Sequence, residues 1–302
     1  MASKFIRAVD EKLLSLNPQI KWLKDNLHYE VIMGSVAYGV SQDISDVDIY
    51  GWCIPPKSWV FPHLQGYIND FGPAPNKFEN FQHHHVKDDN RGCEYDFAIY
   101  SVVKYLALIA ENNPNMIDSL FVPQNCITHM TAAGSILRDS RKEFLHKGAF
   151  HKFKGYAYSQ IHKVKTKQVH DNTSSKRRES IEKYGFDVKF SYHCVRLLDE
   201  CEQILVHGDI DLQRNREQLK AIRRGDMTLD EIVAWFENKE KQLEELYVKS
   251  KLPERPDWSK LNTVLLNILE HHYGTISEAV RNDRTAQLVN ELEMVLTRYK
   301  SQ

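Results

Sequence analysis

The sequence predicts an α+β fold: an N-terminal mixed sheet with flanking helices over residues 1–130, followed by an all-helical C-terminal domain over 131–302. Three observations predict it. Apolar or alternating runs of strand length, at 31–33, 47–54, 81–86 and 93–100, all fall in the first part. From Thr131 onward only helical spacing recurs, as in 150–169, 187–207, 229–249 and 258–273. At 302 residues the chain is long enough for two packed domains.

Each element follows from its residues. At 4–16, Phe5, Val9, Leu13 and Leu16 form one helical stripe that ends before Pro18. Val31-Ile32-Met33 reads as a buried strand, Gly34-Ser35 as a sharp exit, 36–40 as one helical turn and 47–54 as the next strand. Residues 55–80 carry Pro55, Pro56, Pro62, Pro73 and Pro75, which predicts a long loop, functional or mobile in character. A polar turn at 88–92 joins two strands into a hairpin. Ser101 caps a helix that Pro114 stops and that resumes over 115–121. Within the helical half, 168–182 is polar and basic and reads as an exposed connection or lid.

Composition excludes several classes. Lysine and arginine number 40 against 41 aspartates and glutamates, so any nucleic-acid surface must be local. The N-terminus alternates charged and apolar residues, which is neither a signal peptide nor a membrane span. A cytoplasmic protein with no membrane partner is expected. The five cysteines are odd in number, widely spaced and without a C-x-x-C pair, and read as reduced core thiols.

The chemistry concentrates in 31–53. Asp46 and Asp48 alternate with Val47 on a strand and so share a face. Two adjacent carboxylates repel each other, and a hard divalent ion with oxygen ligands, Mg²⁺ or Mn²⁺, relieves that repulsion. Gly34 and Ser35, with Gly39 closing the turn, offer backbone N–H groups beside a hydroxyl, a place for phosphate oxygens.

Gly34-Ser35 followed by Asp46-Val47-Asp48 resembles the DNA polymerase beta-type nucleotidyltransferase superfamily. The run 104–121, through Asn113, Pro114 and Asp118, is similar to its RNA repair pathway branch, the YcgL-like predicted nucleotidyltransferases. The structural role of those three residues, a helix stop and restart, is the favoured one. The resemblance implies a third metal-linked acid on a neighbouring strand. In the strand 93–100 both Glu94 and Asp96 are candidates, and Asp96 fits the family layout better. It also implies a hydroxyl and a lysine from the first helices of the C-terminal half, for which Ser159 and Lys163 are the candidates.

Lys189, His193 and Arg196 recur at i, i+4 and i+7, a cationic stripe that invites a triphosphate. His83-His84-His85 is discounted as a metal site, because on a regular strand at most His83 and His85 share a face. His271-His272 reads as a helix-end pair, and the apolar stripe of 276–299 as core or a dimer seam, with the oligomeric state left open.

The expected function is a metal-dependent nucleotidyltransferase in which Asp46, Asp48 and Asp96 hold two Mg²⁺ ions. Gly34, Ser35, Ser159, Lys163, Lys189, His193 and Arg196 would bind the nucleoside triphosphate. An RNA 3′ end is the expected acceptor, from the resemblance and from Lys163, Lys165, Lys167, Lys176, Arg177 and Arg178, which cluster locally. The alternatives are nucleotidylation of a protein or small molecule, and an antitoxin-like nucleotide-binding protein without turnover.

Overall fold

The computed structural model describes residues 4–41, 46–68, 71–73, 77–165 and 175–281, together with Leu288, Leu292, Met294, Leu296 and Tyr299. Two short helices, α1 (Lys4–Ala8) and α2 (Asp10–Leu16), precede β1 (Leu27–Ile32), the single turn α3 (Gly34–Ala37) and β2 (Asp46–Cys53). The proline-rich segment contributes the short α4 (Lys57–Val60) before β3 (Asn80–Asp88) and β4 (Cys93–Ser101). Helices α5 (Val102–Ala110) and α6 (Pro114–Phe121) then lead to β5 (Ile127–Met130), a short strand not anticipated from the sequence.

The five strands form one mixed sheet in the order β3-β4-β2-β1-β5. The β2–β4 pair is parallel and the other pairs are antiparallel. Strand alternation divides the sheet into two faces. Ile49, Cys53, Tyr95, Phe97 and Ile99 meet Phe5, Ile6, Val9 and Leu13 of the N-terminal helices. Tyr29, Val31, Trp52, Ala98 and Tyr100 face the other way, against Tyr105, Leu106 and Ile109 of α5. On that second face the sequence places Asp48 and Tyr50 in step with Trp52, so the acids open toward the helical half.

The helical half comprises α7 (Ala132–Asp139), α8 (Gly148–Lys165), α9 (Ser175–Tyr184), α10 (Val188–His207), α11 (Arg216–Arg224), α12 (Leu229–Lys249), α13 (Trp258–Tyr273) and α14 (Ile276–Ala279). Its centre is α10, started by the Asp187 carboxylate, which accepts from the Lys189 and Phe190 N–H groups, and ended by Gly208 in the left-handed region. Cys194, Val195, Leu198 and Cys201 of α10 join Phe153, Ala157 and Ile161 of α8 in the same apolar cluster that covers the sheet. Sheet and helices therefore share one core. No described helix is long and apolar enough to cross a membrane.

Candidate active site

Gly34 is required by its neighbour on the acid strand. The Met33 N–H donates to the Asp48 carbonyl at 2.8 Å, so the end of β1 is tied to β2 where the chain turns. Gly34 has φ +66°, and a Cβ there would stand 2.1 Å from Asp48 Oδ2. A side chain would thus be strained and would occupy the place of the carboxylate. The turn closes when the Val40 N–H donates to the Ser35 carbonyl at 2.9 Å. Gly39, at φ +66°, lets the turn approach Gln213 and Arg216, whose side-chain atoms lie 3.2 and 3.5 Å from the position of a Cβ.

The parallel β2–β4 register sets Asp46 opposite Glu94 and Asp48 opposite Asp96. The side chain of Asp46 lies outside the described residues. Between the two candidates for a third acid, Asp96 is the neighbour of Asp48.

Asp96 is held from the other side by a β-bulge. His83 pairs with Phe97 and Val86 with Tyr95, so His84 and His85 together face Asp96. His85 takes φ +57°. From that conformation its N–H donates to Asp96 Oδ1 at 2.8 Å. His84 Nδ1 lies 3.3 Å from Asp96 Oδ2, and His85 Nδ1 lies 3.0 Å from Glu94 Oε2. The expectation that only His83 and His85 share a face fails here, because the extra residue of the bulge breaks the alternation.

Among the described residues no three histidine, cysteine or acidic side chains converge as a metal-binding set. The fit of a divalent ion rests on other features. Asp48 and Asp96 are adjacent hard oxygen donors, and the absence of a Cβ at Gly34 leaves room for the Asp48 carboxylate. Such donors suit Mg²⁺ or Mn²⁺.

Tyr50 follows Asp48 on the same face of β2, with Tyr100 of β4 near it. Burial pushes the Tyr50 phenol up, and the neighbouring Tyr100 and Asp48 add to the shift. The Tyr100 hydroxyl accepts from Gln82 Nε2 at 2.6 Å. Ser159 and Lys163 are exposed on α8, and Lys163 Nζ stands 5.1 Å from the Phe190 ring centroid of α10. Lys189 is exposed, while His193 is half-buried with its ring stacked on Tyr192 at 4.2 Å. The other face of α8 serves the helical half itself. Lys154 pairs with Glu240 and Glu244 of α12, and the Tyr158 hydroxyl donates to Glu240.

Arg196 departs from the expected cationic stripe and corrects it. The residue is 4% exposed, forms ion pairs with Asp118 and Glu200, and lies 4.2 Å over the Tyr38 ring. The Tyr38 hydroxyl donates to Asp118 at 2.9 Å, so the network ties the Gly-Ser turn to α6 and α10. With two carboxylates on one guanidinium, its charge is consumed internally and none is left for a triphosphate. A helical stripe defined by spacing alone does not distinguish the face toward the cleft from the face toward Tyr38.

Two contacts from α11 and the loop before it were not foreseen. Gln213 Nε2 donates to the Ala37 carbonyl at 3.2 Å, and Arg223 donates to the Val40 carbonyl at 2.5 Å. The signal available was the amphipathicity of 216–224, whose buried side is Leu219 and Ile222. Of the basic cluster expected to hold RNA, Lys165 lies 3.8 Å from Glu237 and Arg178 is exposed. Lys167 and the side chains of Lys176 and Arg177 lie outside the described residues.

The model of the RNA repair pathway DNA polymerase beta family matches residues 7–267. A search of curated proteins returns no match. Among solved structures the chain is similar to a nucleotidyltransferase-like protein from Exiguobacterium sibiricum 255-15. That likeness has 9% identity, covers 96% of this chain and 91% of that one, and has a TM-score of 0.28.

Proposed function

The chain belongs to the RNA repair pathway DNA polymerase beta family, and from that premise we propose a metal-dependent nucleotidyl transfer from a nucleoside triphosphate to an RNA 3′ hydroxyl. The observation that carries the reading is the juxtaposition of Asp48 and Asp96 in parallel register with Gly34 fitted against the Asp48 carboxylate.

Asp46, Asp48 and Asp96 would hold two Mg²⁺ or Mn²⁺ ions. Bound there, the metal would lower the pKa of the acceptor hydroxyl and neutralise the leaving pyrophosphate. The protein's own groups do the positioning. His85 N–H fixes one oxygen of Asp96. Gly34 and Ser35 would receive the β- and γ-phosphates along the turn that Val40 closes. Ser159, Lys163, Lys189 and His193 are the proposed contacts from the helices. Arg196 instead holds the turn in place through Tyr38 and Asp118. The five free thiols fit a reducing, cytoplasmic setting.

The test is to incubate the full chain with each labelled nucleoside triphosphate and Mg²⁺ against tRNA, nicked RNA, a protein mixture and buffer. RNA should become labelled, and a 3′-phosphate or dideoxy end should block the reaction. RNA binding should weaken by about 0.7 log units per log unit of salt for each single-strand phosphate contacted. Label that survives a blocked 3′ end, or that appears on protein or a small molecule, moves the acceptor elsewhere. No label with any triphosphate leaves a nucleotide-binding protein without turnover.

A further inference from the structure

We propose that Arg223 of α11 is the residue with which the helical half grips the polyphosphate of the nucleotide, a role that the spacing of α10 had assigned to Arg196. The proposal rests on the nucleotidyltransferase reading of the site. Arg223 is half-buried, donates one N–H to the Val40 carbonyl, and lies with its guanidinium 5.4 Å from the Tyr192 ring centroid. No carboxylate among the described residues lies within ion-pair distance of it. The other cations of this helix are matched: Arg216 at 3.4 Å and Lys220 at 3.0 Å from Glu217, and Arg224 at 2.7 Å from Asp226. Arg196 is matched twice over.

A half-buried cation without a counter-charge is costly unless an anion completes it. A guanidinium carries five N–H donors in a fixed fork suited to phosphate. Arg223 uses one of them on Val40, which anchors the fork, and among the described residues no acceptor takes the rest.

Its position selects the ligand. Val40 is the residue whose N–H closes the turn onto Ser35, so Arg223 sits at the base of the Gly-Ser turn. The Tyr192 phenol beneath it is raised chiefly by burial; Arg196 and Arg223 lower it and Asp48 raises it, so both Arg223 and Asp48 lie within electrostatic reach of this ring. A polyphosphate lying along the Gly34-Ser35 turn would meet this guanidinium at the Val40 end of that turn. Gln213, donating to Ala37, holds the same turn and keeps Arg223 in register with it.

The experiment measures binding of inorganic tripolyphosphate, which needs no knowledge of the base, to the full chain by calorimetry in EDTA and again in Mg²⁺. Arg223→Gln should weaken binding at least tenfold in both buffers. Arg223→Lys should weaken it less, because charge remains while the fork is lost. Arg224→Gln, which removes a cation already paired with Asp226, should stay within twofold of wild type. Melting curves report folding of each variant. Wild-type affinity in folded Arg223→Gln overturns the proposal, as does wild-type affinity in Arg223→Lys if the glutamine variant does not fold. If the unaltered protein binds neither tripolyphosphate nor any nucleoside triphosphate, the nucleotidyltransferase reading falls with it. If the unaltered protein transfers nucleotide and Arg223→Gln keeps its affinity, only this proposal falls.

Discussion

Gly34 and Asp48 are coupled as a pair, because the missing side chain of one is the room for the carboxylate of the other. Gly34→Ala should therefore do two separable things. Placing an L side chain at φ +66° costs about 1 kcal/mol of backbone strain. The new methyl would also displace the Asp48 carboxylate from its place beside Asp96, and nucleotidyl transfer should drop by a hundredfold or more. Asp48→Asn should lose transfer to a comparable degree, since a metal ligand is worth several kcal/mol of barrier, yet melt no lower than wild type. Melting curves and the labelling assay on the two variants separate strain from chemistry. A Gly34→Ala protein retaining more than about a tenth of the rate would show that Asp48 needs no fixed place, and the metal assignment built on its oxygens would go.

At the scale of elements, the Gly-Ser turn is held by Tyr38 on Asp118, by Arg196 over the Tyr38 ring, and by α11 on the carbonyls of Ala37 and Val40. The Arg196 cluster is asymmetric, with two buried carboxylates facing one guanidinium, and burial pushes both Asp118 and Glu200 up. Arg196→Met should cost about 3–5 kcal/mol, because it strands two acids in the core, whereas Glu200→Gln should cost less than about 1 kcal/mol, since it removes the surplus charge and keeps a polar partner. Urea unfolding of the two variants checks the difference, and equal costs would mean that the cluster is not charge-driven. The Gly-Ser turn and the Asp-x-Asp strand were legible in the sequence because both depend on local rules: glycine at a turn and alternation on a strand. The hairpin of β3 and β4 was legible for the same reason. The bulge at His84-His85 was not, since one inserted residue leaves no mark on composition. The exchange of roles between Arg196 and Arg223 was not legible either. Each is an arginine beside apolar residues on a helix, and only the docking of α10 and α11 against the turn decides which one is buried with acids and which has no acid beside it among the described residues.

Over the whole molecule the sheet and the helices are joined by one continuous core, and at its edge the join is made by histidines. His28 of β1 stacks on Trp52 at 5.5 Å and meets the His272 ring of α13 edge-on at 4.8 Å. His28 Nδ1 pairs with Thr131 Oγ1 at 2.8 Å, while its Nε2 is buried without a hydrogen-bond partner among the described residues. Burial, then the neighbouring His272, His129 and His271, lower the His28 pKa from 6.5 to about 4. His129 and His272 are lowered as well, each chiefly by burial. The unfolded chain therefore binds more protons than the folded one between these two values, and stability must rise with pH across that window. The contribution is fully present above pH 6.5 and is lost as the pH falls toward 4, on the order of 2–3 kcal/mol for His28. Because His28 lies between the sheet and α13, acid should loosen that contact. His28→Gln should flatten the dependence of urea stability on pH between 6.5 and 4 while changing stability little at pH 8. Amide exchange in α13 should accelerate over the same interval in the wild-type protein and not in the variant. A wild-type stability that is level across this interval would mean that the His28 imidazole takes up its proton without cost, and that the junction is held by the apolar core alone.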